Sequence, residues 1–77
     1  MDIAQQVLEL LTKELRLKDN VVTPASNLKE DLDVQSLETV ELIMALEDRF
    51  HVVFEEKAHE KIHTVQDVID ITRKLVK

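Results

Sequence analysis

Glycine is absent from this chain, and proline occurs once, at Pro24. Two-residue strand turns depend on residues such as glycine or asparagine at positive φ, so a glycine-free chain has few ways to fold back as a sheet. Helices joined by longer connections make no such demand. Aromatic bulk is scarce as well, since Phe50 and Phe54 stand alone against many Leu, Ile and Val. The sequence therefore predicts an all-α fold: a small four-helix bundle of three longer helices and one short helix, with a long loop between helices one and two. Its 77 residues form a single domain, 1–77. A domain of this size buries only about 60% of the surface its unfolded chain exposes.

Ile3, Val7, Leu10, Leu11 and Leu15 recur at helical spacing, with Gln5, Gln6, Glu9, Thr12 and Lys13 opposite. This predicts a first helix over 3–16, with Asp2 at its front and Arg16 and Lys18 at the negative end of its dipole. Residues 17–35 read as the connection. Thr23 to Ser26 mark a turn, and Leu28 and Leu32 are its expected anchors. Helix two is expected over 36–50. His51 to Glu56, "HVVFEE", has strand propensity but no partner strand, so it reads as an extended linker whose Val53 and Phe54 fill the core. A short helix over 56–61 and a last helix over 65–75 follow. Thr64 and Asp67 form a capping-box-like start for the last helix, with Val65, Val68, Ile69, Thr72 and Leu75 or Val76 facing inward.

Helix two carries more apolar side chains than one buried face uses. Thr39, Leu42, Ile43, Leu46 and Phe50 form a sufficient core stripe. Leu37, Val40 and Met44 form a second stripe, rotated from the first, with Glu38, Glu41, Glu47 and Asp48 beside it. Burial of the second stripe under the long loop or a neighbouring helix is the plain alternative. An apolar centre with a charged border is instead the composition of a partner surface, and methionine suits a surface that accommodates several partners.

Ser36 stands at the front of this helix. Serine there most often caps a free backbone amide, a job that Asp33 can also do, leaving Ser36 inside the first turn. Nucleophilic catalysis needs a base and an orienting group. His51, His59 and His63 lie far along the chain, and no G-x-S-x-G surrounds Ser36. On the residues alone, capping is the better account. No catalytic cluster is present, and an enzyme is not expected. His59 and His63 have the i, i+4 spacing of a shared metal site but lack further ligands. Glu30, Asp31 and Asp33 lack the glycine and spacing of an EF-hand loop. No metal site is expected.

Sixteen acids against ten bases give a net charge of −6. Such a surface repels phosphate backbones, which excludes nucleic acid, and attracts basic protein surfaces. With no cysteine there is neither a disulfide nor a thiolate metal site, and nothing points to an oxidising compartment. "MDIAQQ" has no basic start, and no apolar run is long enough to span a membrane. A soluble monomer is expected, in the cytoplasm or in an organelle after removal of a transit peptide.

"SLETVELIMALEDRF" resembles the second helix of the acyl carrier proteins of fatty acid and polyketide synthesis. Ser36, Leu37, Thr39, Val40, Glu41, Leu42, Met44, Ala45, Leu46, Glu47 and Phe50 fall on the family string D-S-L-[DE]-x-V-E-L-[VI]-M-x-[LI]-E-[ED]-x-F. "NLKEDL" resembles the loop before it, and "AHEKIHTVQDVIDI" the third helix and the start of the fourth, so essentially the whole chain is covered. The resemblance implies that Ser36 bears a covalent 4′-phosphopantetheine, attached by a phosphopantetheinyl transferase, whose thiol carries an acyl chain as a thioester. It implies docking to basic surfaces of acyl-chain synthesis enzymes through Gln35, Leu37, Glu38, Val40, Glu41, Met44, Glu47 and Asp48, and shelter of the bound acyl chain between helices. Two departures stand out. The family's Gly-x-Asp-Ser-Leu is here Asp33-Val34-Gln35-Ser36-Leu37, which removes the acid that in the family contacts the transferase near its metal ion. His51-Val52-Val53 replaces residues that are commonly polar or acidic. An adaptor of the same fold, docking unmodified, is the alternative function that Gln35 favours.

Overall fold

The computed structural model describes residues 2–17 and 22–76. Among them are three α-helices, α1 (Ile3–Glu14), α2 (Ser36–Phe50) and α3 (Val65–Leu75), and no strand. Lys18 of the expected first dipole end lies outside the described residues, as do positions 19–21 of the expected connection. In place of a short helix over 56–61 there is a single 3-10 turn, Ala58–Glu60. Ala58 alone of its residues is buried. Glu55 and Lys61 straddle the turn through an exposed ion pair of 2.9 Å.

The core is aliphatic. Val7 and Leu11 of α1, Leu42 and Leu46 of α2, and Val65, Val68 and Ile69 of α3 are buried together. The apolar faces of α1 and α3 pack together, and α2 packs against α1 and against the 3-10 turn. Leu28, Val34, Phe54 and Ile62 close the core from the connections. Leu32 packs against the core while half-buried, and Val34 joins it as a fully buried anchor. After α2 the expected inward pair is Val53 and Phe54. Phe54 is buried, but Val53 is 80% exposed and Val52 is the half-buried neighbour. The cause is the residue between: His51 leaves the helix at φ 56, ψ 48, and this left-handed step resets which of the following side chains point inward.

Two helix ends use non-glycine residues in the left-handed region. Arg16, at φ 55, follows α1 in a Schellman arrangement: its N–H donates to Lys13 O at 3.2 Å and that of Leu17 to Thr12 O at 2.9 Å. His51 closes α2 in the same way, with Val52 N–H donating to Glu47 O at 3.2 Å. Each L-residue there costs roughly 1–2 kcal/mol.

α3 begins as its sequence predicts. Asp67 N–H donates to Thr64 Oγ1 at 3.1 Å, while Asp67 Oδ2 accepts the N–H groups of His63 at 2.9 Å and Thr64 at 3.0 Å. The amide of His63, then that of Thr64, hold the Asp67 carboxyl below its ordinary value of 3.8. This corner also pins the connection that leads to α2. Leu28 N–H donates to His63 O at 3.0 Å, Val65 N–H to Ser26 O at 3.0 Å, and Gln66 N–H to Pro24 O at 2.9 Å. Asn27 and Thr64 form an isolated antiparallel bridge. None of the helices among the described residues is long and apolar enough to cross a membrane.

Candidate functional site

The approach to α2 is built residue by residue. Asn27 folds the chain into an Asx-type turn, its Oδ1 accepting the N–H groups of Lys29 at 3.0 Å and Glu30 at 2.9 Å. Asp31 Oδ2 takes the Asn27 N–H at 2.7 Å. Val34 N–H returns to Leu28 O at 2.8 Å, and Asp33, at φ 53, turns the chain into the helix. Asp is among the few non-glycine residues that adopt this conformation readily.

The N-cap is Gln35, rather than Ser36 or Asp33. Glu38 Oε1 accepts the Gln35 N–H at 3.0 Å, so the first turn is closed from N3. The Gln35 side-chain amide reaches back to Asp33 Oδ1 at 3.4 Å. Thr39 Oγ1 donates to Gln35 O at 3.2 Å. Ser36 is therefore the first helical residue, exposed, and its hydroxyl bonds no other group of the described residues. The capping account of Ser36 fails because its neighbours already do the capping.

Beside Ser36 opens a cleft of about 520 Å³. Leu28, Val34 and Ile62, all buried, give it apolar walls, and Lys29, Glu30, His59, Glu60 and His63 give it polar walls of both charge signs. The sequence offered no local signal for this grouping, since its sides come from the connection, from α2 and from the segment before α3. The two histidines meet at a cleft, and among the described residues no three His, Cys, Asp or Glu side chains are arranged to hold a metal.

Along α2 the second apolar stripe is open to solvent: Leu37 is 70% exposed, Met44 61% and Val40 36%. Glu38, Glu41 and Asp48 are exposed on the same helix. Glu47 is set apart from them. It is half-buried, and its Oε2 accepts the Phe54 N–H at 2.8 Å. Gln35 is exposed beside the serine. The structure thus gathers Gln35, Ser36, Leu37, Glu38, Val40, Glu41, Met44 and Asp48 on the open side of one helix and its entry, with Glu47 half-buried and bonded to Phe54.

Ser36 thus presents a primary hydroxyl at a helix start, beside a cleft with both apolar and hydrogen-bonding walls. Comparison with known proteins names a group for such a chain. The family model described as the phosphopantetheine attachment site matches residues 5–71. The solved acyl carrier protein of Thermotoga maritima is similar at 28% identity and a TM-score of 0.78, over 92% of this chain and 82% of that one. A Mycobacterium tuberculosis protein assigned as an acyl carrier protein is similar at 27% identity and a TM-score of 0.87, over 95% of this chain and 97% of that one.

Proposed function

This chain belongs to the phosphopantetheine-attachment family of acyl carrier proteins, and on that premise we propose that Ser36 is the residue esterified by its 4′-phosphopantetheine. The arm supplies a thiol that holds an acyl group as a thioester. The protein's own part is to present the serine, to cradle the arm beside Leu28, Val34 and Ile62, and to offer α2 to enzymes. The observation that carries this reading is the Ser36 hydroxyl, exposed at the first position of α2 and bonded to no other group of the described residues.

The protein acts without catalysis of its own, as a monomeric cytoplasmic carrier in fatty acid biosynthesis or in a polyketide or specialised lipid pathway. Its enzymes meet it through Leu37, Val40 and Met44, with Glu38, Glu41 and Asp48 drawing basic surfaces. Such contacts favour rapid encounter and release. The unmodified adaptor is the second reading, and the neutral Gln35 favours it.

Intact-mass spectrometry decides between them. The protein incubated with coenzyme A, magnesium and a promiscuous phosphopantetheinyl transferase is expected to gain one phosphopantetheine, and Ser36→Ala to gain none. A wild-type mass that stays unchanged selects the adaptor.

A further inference from the structure

We propose that His59 and His63 form a seat for the phosphodiester of the arm, holding it in the cleft beside Ser36 when both imidazoles are protonated. This inference rests on Ser36 being the attachment residue.

The phosphodiester is the arm's charged group, and it follows Ser36 Oγ directly, so what surrounds that oxygen decides where it lies. On the helix side the surroundings are acidic. Glu38 is held over the entry to α2 by the Gln35 N–H at 3.0 Å, and Asp33, Glu38 and Glu41 are all exposed. Their charges oppose the pull that a helix N-terminus exerts on an anion. On the cleft side, half-buried His59 and exposed His63 and Lys29 line the same space as Ser36. Among the described residues these three side chains make no hydrogen bond or ion pair, whereas neighbouring Lys61 is taken up by Glu55 at 2.9 Å. The cations that face the cleft are therefore free to meet a ligand.

Backbone bonds set the histidines in register with the serine. His63 O accepts the Leu28 N–H at 3.0 Å, and Leu28 O in turn accepts the Val34 N–H at 2.8 Å, two residues before Ser36. The 3-10 turn, closed by Lys61 N–H on Ala58 O at 2.9 Å, brings His59 to the same cleft.

Protonation sets the condition. Lys29 is outnumbered by Glu30 and Glu60 in the lining, so with neutral imidazoles the cleft is net negative, and two imidazolium ions make it net positive. Asp67 of α3 also acts on His63, but its Oδ2 is engaged by the N–H groups of His63 and Thr64. A phosphate anion seated against the two rings favours their charged form, and acidification in turn favours the seated arm.

NMR of the full chain tests this. The protein is loaded with coenzyme A, magnesium and a phosphopantetheinyl transferase, and intact mass verifies the gain. The imidazole C–H signals of all three histidines are then followed against pH before and after loading. Loading is expected to raise the titration midpoints of His59 and His63 by about 0.2–0.7 pH units, the strength of an exposed ion pair. His51, the C-cap of α2 and outside the cleft lining, is expected to stay in place. The phosphorus signal of the arm, whose own charge is fixed between about pH 5 and 8, is expected to move over that range as histidines titrate. It is expected to stop moving in the double variant His59→Gln, His63→Gln. Anything short of a rise at both cleft histidines, an equal rise at all three, or a phosphorus signal that moves as before in the double variant overturns the proposal. A wild-type chain that gains no mass overturns the attachment reading itself, and the seat with it.

Discussion

Glu47 Oε2 accepts the backbone N–H of Phe54 at 2.8 Å, across seven residues that include the end of α2. The pair fastens the helix to the segment that carries a buried phenylalanine. A residue that α2's sequence groups with the surface acids is thereby part of the fold's interior wiring.

Glu47→Ala is accordingly expected to destabilise the protein by about 1–2 kcal/mol, because a half-buried amide loses a charged acceptor. Glu41→Ala and Asp48→Ala are expected to stay within about 0.5 kcal/mol of wild type. Urea unfolding of the three variants checks the contrast, and equal losses in all three would reject it.

His51→Gly is expected to stabilise by about 0.5–1 kcal/mol. It relieves a left-handed residue at φ 56, less the extra chain entropy glycine brings to the unfolded state. Asp48→Gly, inside α2, is expected to lose about 1 kcal/mol. Thermal melts of both variants test whether the backbone at His51 is the source of the gain.

The Asp67 carboxyl is held below its ordinary value of 3.8 by the amides of His63 and Thr64. A depressed folded-state pKa contributes stability that is complete above the unfolded value and is lost as pH falls through the folded one. Asp67→Ala is expected to cost about 1 kcal/mol near neutral pH, and the gap to wild type is expected to narrow below about pH 4. A gap of constant size from neutral pH to pH 2 contradicts this.

Thr72 is fully buried in α3, and its Oγ1 has no hydrogen-bond partner among the described residues. Thr12 and Thr39 satisfy theirs on the carbonyls of Leu8 and Gln35. Replacement by the isosteric valine removes the unmet group and is expected to stabilise by about 1 kcal/mol. Calorimetry of Thr72→Val measures it, and a lowered melting temperature goes against it.

Magnesium, calcium or added salt is expected to raise the melting temperature of this chain, whose net charge is −6, by relieving repulsion among its acids. Melting that ignores millimolar divalent ions rules this out.

The sequence is most legible where signals are local. The two stripes of α2 and the Thr64–Asp67 cap depend on neighbours within one helical turn, and the structure places both as the spacing predicts. It is least legible where one dihedral or a distant partner decides. The inward turn of Val52 in place of Val53 follows from the left-handed His51. The Glu47 bond depends on where Phe54 returns, and nothing within α2's own pattern encodes it. Val34 becomes an anchor beside Leu32 where the Leu28 carbonyl takes its amide, a bond the apolar spacing does not encode. The capping of α2 by Gln35 was hidden because glutamine is a weak cap by type, and Glu38 reaching back supplies what it lacks.

The connection ahead of α2 is moored to the front of α3 by Ser26 O, Leu28 N–H and Pro24 O, none of which belongs to a side chain. Substitution of the exposed Lys29 and Glu30 therefore changes the rim of the cleft while these three backbone bonds, and with them the distance from the front of α3 to the start of α2, are kept.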